Sequence, residues 1–112
     1  MITKNDKLFI SRLEMIVQDN AGLSVNIVKE KTRKAEIVIV RFIMMYLMKR
    51  YTIMSLKSIG EYFSGRDHST VINGLGVVAK WFDQPKMYNS EIKLLLQIES
   101  EAKPWKTKNK LL

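Results

Sequence analysis

The sequence predicts an all-α domain of about six helices, two of which form a helix-turn-helix. Apolar residues recur at helical spacing along most of the chain, and no segment has the alternation of a half-buried strand. Two helical segments, residues 56–63 and 67–82, are joined by a tight turn that contains Gly65. Such a pair is typical of a helix-turn-helix, whose second helix can enter the DNA major groove.

The first predicted helix spans residues 7–19, and Gly22 follows it as a candidate left-handed C-cap. A short second helix is predicted around residues 24–29, with Ser24 as its N-cap. Residues 29–34, called the basic loop below, lack periodicity and predict an exposed loop. The apolar residues of the first helix are spaced for one amphipathic face: Leu8, Phe9, Leu13, Met15, Ile16 and Val17.

A long helix over residues 35–51 is apolar nearly all round, so we expect it to be the central core helix. Its apolar run, residues 37–48, contains Arg41 and is shorter than the roughly 20 residues of a membrane span. The run is therefore interpreted as buried in protein. A methionine stripe on this helix is expected to pack in the core: Met44, Met45 and Met48.

Residues 52–54 connect the core helix to the helix-turn-helix, where Ser55 is a suitable N-cap for the helix at 56–63. The second helix of the motif should run from about 67 to 82 and end before Pro85, because the residue preceding a proline disfavours helix. A last helix is predicted at 91–102, capped by Asn89 or Ser90 and ended by Pro104. The inward face of the helix at 56–63 is expected to carry Leu56, Ile59, Tyr62 and Phe63.

Composition limits the possible function classes. The 112 residues fit one domain, and 46% hydrophobic residues suffice for a compact core. The absence of cysteine and the single histidine, His68, exclude a disulfide framework, a thiolate metal site and a histidine cluster. No metal, no cofactor and no catalytic constellation are predicted, so the chain is not expected to be an enzyme. The N-terminus lacks a signal-peptide core, and the expected location is the cytoplasm.

The charge favours anionic partners, with nucleic acid first and an acidic membrane surface second. The net charge is +8, from 19 Lys plus Arg against 11 Asp plus Glu. One cationic cluster is the basic loop, and another lies in residues 103–112. We interpret residues 1–102 as one domain and residues 103–112 as a flexible, solvated tail. Trp105 among those lysines is the only hint of membrane contact, and no membrane partner is predicted. The lysines of the tail are Lys103, Lys106, Lys108 and Lys110.

Two stretches of the chain resemble one known family. SLKSIGEYFSGRDHSTV at residues 55–71 satisfies S-L-x-x-I-G-x-x-F-x-G-R-D-H-[ST]-T-V without a gap, and RKAEIVIVRFIMMYL at 33–47 follows R-x-x-E-I-V-x-A-R-Q-I-A-M-Y-L closely. Both patterns are those of the C-terminal DNA-binding domain of the bacterial replication initiator DnaA. The resemblance covers roughly residues 7–102. It implies an initiator-type, Trp-repressor-like helix-turn-helix.

The resemblance implies sequence-specific binding to double-stranded DNA at origin-type boxes, linked to initiation or regulation of replication. A monomer would bind each box, and the full-length initiator or other replication proteins are further possible partners. Because the chain has no Gly-rich phosphate loop, no ATPase activity is expected. The start Met and the lack of a tag favour a natural short protein over a fragment.

The family contacts bases through an Asp-His-Thr-Thr turn, which corresponds here to Asp67, His68, Ser69 and Thr70. A carboxylate accepts from cytosine N4, and a threonine methyl packs on a thymine methyl. Simple N-capping is the alternative role for Asp67, and the two roles are compatible. A solvated surface position is the alternative for His68.

Cationic residues on either side of this turn complete the expected interface. The resemblance places Arg33 in the minor groove, where narrow A·T-rich tracts attract arginine; a solvated loop charge is the alternative. Lys34, like Lys29 and Lys31 of the same loop, would contact phosphates. Lys57 and Arg66 flank the turn and are also expected at phosphates.

The chain departs from the family after Val71. The family tends to have L-H-A-x-R-K-I, whereas residues 72–78 are INGLGVV, so two basic positions become Gly76 and Val77. Gly74 and Gly76 also disfavour helix by roughly 1 kcal/mol each relative to alanine. Weaker binding or a changed site is expected. The alternative function is a protein-interaction module or a transcription regulator that keeps the fold.

Overall fold

The six predicted helices are present, in the predicted order. The structure is a computed structural model that describes residues 2–103, and this part of the chain contains no strand. Tail residues 104–112 and the predicted stop at Pro104 lie outside the described residues. Within 2–103, no helix combines the length and the apolar character needed to span a membrane. The helices are α1 (Lys4–Ala21), α2 (Val25–Lys29), α3 (Ala35–Tyr51), α4 (Leu56–Tyr62), α5 (His68–Asp83) and α6 (Asn89–Ala102).

The central position of α3 confirms the expectation from its all-round apolar sequence. It contacts each of the other five helices, and its three stripe methionines are fully buried. Helices α4 and α5 pack against each other and against α3, which makes α3 the support of the helix-turn-helix. The largest fully buried side chains from the other elements are Leu13, Val17, Met54, Ile59, Phe63, Leu95 and Ile98.

The first helix begins three residues earlier than its apolar periodicity indicated. Thr3 is the N-cap: its hydroxyl accepts from the Asp6 amide at 3.0 Å, and the Asp6 carboxylate accepts from the Thr3 amide at 3.4 Å. This capping box starts the helix within a polar segment. The predicted C-cap is confirmed, since Gly22 has a φ of 68°. Leu8 and Met15, assigned to the apolar face, are instead exposed.

The last helix also begins earlier than predicted. Tyr88 is the N-cap residue of α6, without a side-chain cap bond, and Asn89 is already helical, so the expected capping by Asn89 or Ser90 is wrong. The reason is the preceding turn, in which the amides of Met87 and Tyr88 donate to the carbonyl of Gln84 at 3.1 Å. These bonds close a turn directly before the helix, which then begins without a polar side chain at its N-cap.

Candidate nucleic-acid interface

The turn between α4 and α5 depends on a close backbone approach at Gly60. The Arg66 amide donates to the Gly60 carbonyl at 2.9 Å, and a Cβ on Gly60 would lie 2.1 Å from the Arg66 carbonyl oxygen. Any larger side chain would therefore force the two helices apart. Ser64 and Gly65 then take φ values of 61° and 76°, which reverse the chain within two residues.

Asp67 is the N-cap of α5 and organises the first turn of that helix. Its Oδ1 accepts from the Ser69 hydroxyl at 2.6 Å, from the Thr70 amide at 3.1 Å and from the Thr70 hydroxyl at 3.3 Å. The bond from Ser69 lowers the pKa of Asp67 the most, and the bonds from Thr70 lower it further. His68 is the first helical residue and is exposed, as are Asp67 and Ser69. The four residues of the motif thus share one turn at the protein surface.

Arg41, the single charge in the apolar run of α3, lies beneath the basic loop. Its side chain is buried, and Nε donates to the Val28 carbonyl at 2.9 Å. Nη2 donates to the Glu30 carbonyl at 2.7 Å, and both terminal nitrogens lie 3.4 Å from the Thr32 carbonyl oxygen. Burial, and next the charge of Arg66, lowers the pKa of Arg41. A residue that looked like an interruption of the core helix therefore organises the loop.

Arg66 bonds to the same loop from the helix-turn-helix side. Its Nη1 donates to the carbonyls of Phe63 at 2.6 Å and Lys29 at 3.0 Å, and its Nη2 donates to the Glu30 carbonyl at 2.9 Å. The side chain is half-buried, and this burial lowers its pKa. The phosphate contact expected for Arg66 stays a prediction, since the bonds to backbone carbonyls use three of the five N–H donors of its guanidinium.

A groove of about 410 Å³ separates the basic loop from α5. Arg33 and Thr70 both line this protein groove. Arg33 is the residue predicted for the DNA minor groove, and Thr70 is one of those predicted for the DNA major groove. Lys34 and Lys57 are exposed outside its lining, at the N-cap of α3 and on the first turn of α4. Among the residues that the structure describes, no acidic side chain lines the groove. Its lining consists of Lys31, Thr32, Arg33, Arg41, Phe42, Arg66, Thr70 and Asn73.

Within residues 2–103, the cations of the basic loop differ in what their side chains contact. The ammonium of Lys29 lies 4.0 Å from the ring centroid of Tyr62, and Tyr62 donates to Glu14 at 2.5 Å. Burial, and then this bond to Glu14, raises the pKa of Tyr62 well above its ordinary value. The exposed guanidinium of Arg33 bonds to no described residue. The ammonium of Lys29 is therefore held against the Tyr62 ring, whereas the guanidinium of Arg33 is held by no contact among the described residues.

The outward face of α5 beyond its first turn carries little charge. Ile72 is 51% exposed, and nothing lies within 4 Å of the Cβ position of Gly76. Gly74 faces the opposite way, where an added Cβ would lie 2.9 Å from Phe42 Cδ1 and 3.0 Å from Met45 Sδ. The two glycines thus occupy opposite environments, one open and one tightly packed.

Four groove residues were not among the predicted site residues: Thr32, Arg41, Phe42 and Asn73. A signal for Arg41 existed, since one arginine in an apolar helix requires polar partners when it is buried. Asn73 lies one helical turn beyond Ser69, a spacing that places both on one face of α5. Nothing in the local sequence indicated Phe42, because its exposure to the groove depends on how α5 packs on α3.

Comparison with known proteins places the chain beside one family. The sequence model described as "Bacterial dnaA protein helix-turn-helix" matches residues 10–78, more than half of the chain. The chromosomal replication initiator protein DnaA of Mycoplasma capricolum is 35% identical over 88 residues, which are 79% of this chain and 20% of that protein.

Two further relatives carry the same name. The DnaA of Chlorobaculum tepidum is 43% identical over 74 residues, 66% of this chain and 15% of that protein. The DnaA of Burkholderia multivorans is 33% identical over 97 residues, 87% of this chain and 18% of that protein. The chain therefore spans a fifth or less of the length of these relatives. No solved structure matches it.

Proposed function

The chain belongs to the bacterial DnaA helix-turn-helix family, and we propose that it binds double-stranded DNA in a sequence-specific manner. The observation that carries this proposal is the groove between the basic loop and α5, whose lining within residues 2–103 is cationic and includes no acidic residue. It sets the unpaired Arg33 and the polar first turn of α5 on one surface. A cationic loop beside a polar helix start suits an anionic duplex whose base edges are accessible in the grooves.

The first turn of α5 is proposed to enter the major groove. The bonds within this turn all fall on Oδ1 of Asp67, so Oδ2 can accept from cytosine N4. Thr70 can place its methyl on a thymine methyl, and Ser69 and His68 can bond base edges or phosphates. Because Asp67 fixes the rotamers of Ser69 and Thr70 before DNA arrives, less side-chain freedom is lost on binding.

The basic loop is proposed to contact the adjacent minor groove and backbone. Arg33 has an unoccupied guanidinium and is the proposed minor-groove residue. The ammonium groups of Lys34 and Lys57 are exposed and suited to phosphates, which add affinity without sequence information.

The proposed targets are origin-type boxes, with a role in initiation or regulation of replication. Relatives named chromosomal replication initiator protein support this assignment, although the chain covers only a fifth or less of their length. We propose that this segment acts as a monomer on each box, by occupancy and without ATPase activity.

Fluorescence anisotropy with a duplex carrying the family's consensus box, and with a scrambled duplex, tests the proposal at two salt concentrations. We expect a preference for the box that weakens steeply with salt, since phosphate contacts release counterions. Arg33→Ala should weaken box binding by tenfold or more, and Thr70→Ala should reduce the preference for the box. Lys93→Ala, which removes an exposed cation from α6, is the matched control and should change neither.

Equal, weak binding to both duplexes would contradict sequence-specific recognition. The second candidate function, a protein-interaction module or a transcription regulator with altered specificity, is favoured by the uncharged outward face of α5 around Ile72 and Gly76. Binding of a protein through that apolar face would depend little on salt, whereas DNA binding through several phosphates would depend on it steeply. The same salt series therefore separates a protein-interaction module from a DNA-binding protein.

A further inference from the structure

We propose that Arg41 and Arg66, called the arginine pair below, are positioning residues for DNA recognition. They hold the basic loop at a fixed place relative to the first turn of α5, so that the minor-groove and major-groove contacts are presented in one register. This inference rests on the proposed function. It assigns the pair no direct contact with DNA.

The arginine pair reaches the loop from two different elements. Arg41 extends from α3 to the carbonyls of Val28 and Glu30, at 2.9 and 2.7 Å. Arg66 extends from the turn before α5 to the carbonyls of Lys29 and Glu30, at 3.0 and 2.9 Å. The Glu30 carbonyl oxygen accepts from both, so one loop atom joins the core helix to the helix-turn-helix.

Because the arginine pair bonds to carbonyl oxygens and not to carboxylates, its positive charge is not neutralised. A carboxylate partner would neutralise a guanidinium, whereas carbonyls fix the backbone and leave its charge in place. Among residues 2–103, the single ion pair is Arg50 with Glu99, away from the loop. Because both guanidinium groups donate to the Glu30 carbonyl oxygen, two like charges lie close together at the groove. Their field adds to that of Arg33, although their donors bond to the protein.

The guanidinium group suits this task better than an ammonium would. Its planar fork of donors can bond several carbonyls at once with defined geometry, while a lysine ammonium is a flexible point charge. Arg66 makes three such bonds, to carbonyls of residues 29, 30 and 63. These three bonds hold the plane of the Arg66 guanidinium fixed relative to the loop backbone. Loop order set before binding raises affinity, because less freedom is lost when DNA arrives.

A first experiment tests the inference without DNA, through trypsin cleavage in the basic loop after Lys31, Arg33 and Lys34. Arg66→Lys keeps the charge and removes the fork, and we expect loop cleavage at least tenfold faster than in the wild type. The matched control is Arg12→Lys, because Arg12 Nη2 also donates to two carbonyls, of Glu101 and Lys103 at 3.1 and 3.3 Å. That control should leave loop cleavage unchanged.

Arg41→Lys provides a second variant for the same assay and is expected to act in the same direction. Melting temperatures are measured for every variant, and the cleavage sites are mapped. Cleavage at new sites throughout the chain would indicate global unfolding, whereas cleavage confined to the basic loop indicates local opening. Loop cleavage at the wild-type rate in a folded Arg66→Lys protein would overturn the inference. This outcome does not depend on whether the wild type binds DNA.

A second experiment is a double-mutant cycle between Arg33→Ala and Arg66→Lys, with binding to the box duplex as the readout. If Arg66 positions Arg33, the loss caused by Arg33→Ala should shrink from tenfold or more in the wild type to about threefold or less in Arg66→Lys. The salt slope of Arg66→Lys should equal that of the wild type, because the slope reports the number of phosphates contacted and the arginine pair is assigned none. A contribution to folding alone would not change this coupling.

The outcomes of the two experiments are distinguishable. Equal losses from Arg33→Ala in both backgrounds would overturn the positioning role, and full box affinity in Arg66→Lys would favour a direct phosphate contact instead. A wild type that does not prefer the box would contradict the proposed function. In that case, the cleavage comparison would still decide whether the arginine pair orders the loop.

Discussion

The carboxylate of Asp67 is fully exposed and accepts three hydrogen bonds on a single oxygen. Its bond to the Thr70 amide satisfies one of the free donors at the start of α5, which is the work of an N-cap. Its bonds to the two hydroxyls fix the side chains beside it. Capping and base recognition therefore use the same side chain, and substitutions must separate them.

Asp67→Asn separates the two roles. Asparagine caps helices about as well as aspartate, so we expect this variant to melt near the wild-type temperature. It should nevertheless lose preference for the box. The asparagine oxygen accepts the capping bonds, so the side-chain NH₂ group takes the place of Oδ2, and it is a donor where cytosine N4 requires an acceptor. Thermal denaturation and anisotropy measure the two effects.

Asp67→Ala is the comparison, since it should lower both the melting temperature and the box preference. If Asp67→Asn kept the full preference, base contact by this carboxylate would be excluded and capping would be its whole contribution.

The same side chain predicts a stability difference that depends on pH. The hydroxyl of Ser69, and then the Thr70 amide, lowers the pKa of Asp67 in the folded state. A lowered folded pKa means that the stabilisation is fully present above the unfolded-state value of about 4, and is lost as the pH falls through the lower folded value.

Urea unfolding of the wild type and Asp67→Asn between pH 2 and 6 measures this dependence. We expect the wild type to lose stability relative to the variant as the pH falls below about 4, because the asparagine cap does not titrate. The other carboxylates are common to both proteins, so their contributions cancel in the difference. A difference that stays constant across this range would contradict the lowered pKa.

Among single residues, the sequence motif predicted that residues 67–70 share one turn, but it did not indicate the hydrogen bonds between Arg66 and the basic loop. Residues 67–70 are local, so a helix start at 67 is enough to place them on one turn. The bonds of Arg66 join it to carbonyls 36 and 37 residues earlier in the chain. Such contacts exist only after α2, α3 and the turn have packed, which sequence spacing does not encode.

At the level of elements, the packing of α5 on α3 depends on Gly74. An added Cβ there would approach Phe42 and Met45 at 2.9 and 3.0 Å, whereas a Cβ on Gly76 would meet nothing within 4 Å. Phe42 also lines the groove, so the closeness of this contact determines the width available between α5 and the basic loop.

The two glycines predict opposite effects of alanine. Gly76→Ala should raise the free energy of unfolding by about 0.5–1 kcal/mol, through helix propensity at an open position. Gly74→Ala gains the same propensity but must displace Phe42 and Met45, and overpacking typically costs about 1–3 kcal/mol. We expect a net loss of stability. Urea unfolding of both variants provides the measurement, and equal stabilisation by both would show that the contact at Gly74 is loose.

The elements themselves were largely predictable, and their ends were less so. Helical periodicity located the longer helices, because each has a buried face against α3 or a neighbour, whereas the short α2 was located by its candidate cap, Ser24. Thr3 and Asp6 start α1 where no apolar pattern exists, and the turn before Tyr88 starts α6 without a polar cap. Leu8 and Met15 have the spacing of an inward face, yet they lie beyond the edge of what α3 and α6 cover.

For the whole molecule, the distribution of charge matters more than its net value of +8. The cations of the groove lie in the basic loop, on α3 and at Arg66. By contrast, the cation that the outward face of α5 carries beyond its first turn is Lys80. The duplex would therefore be held chiefly on the loop side. Gly76 and Val77, which stand where the family tends to have a basic pair, contribute to this asymmetry.

Gly76→Lys should restore part of the missing attraction on the α5 side. The position is exposed, and nothing lies within 4 Å of its Cβ, so a lysine there can extend to a phosphate without displacing a neighbour. One additional phosphate contact should steepen the slope of log affinity against log salt by about 1, because each neutralised phosphate releases condensed counterions. Box and scrambled duplexes should gain affinity alike, since a phosphate contact carries no sequence information.

Ser11→Lys adds the same charge on an exposed face of α1 and is the matched control. Its long-range field can raise affinity slightly at low salt, but it should leave the slope within a few tenths of the wild type. Equal slopes for the two variants would mean that the second half of α5 does not approach the backbone. The helix would then enter DNA by its first turn alone, and the loss of the basic pair at residues 76 and 77 would not weaken binding.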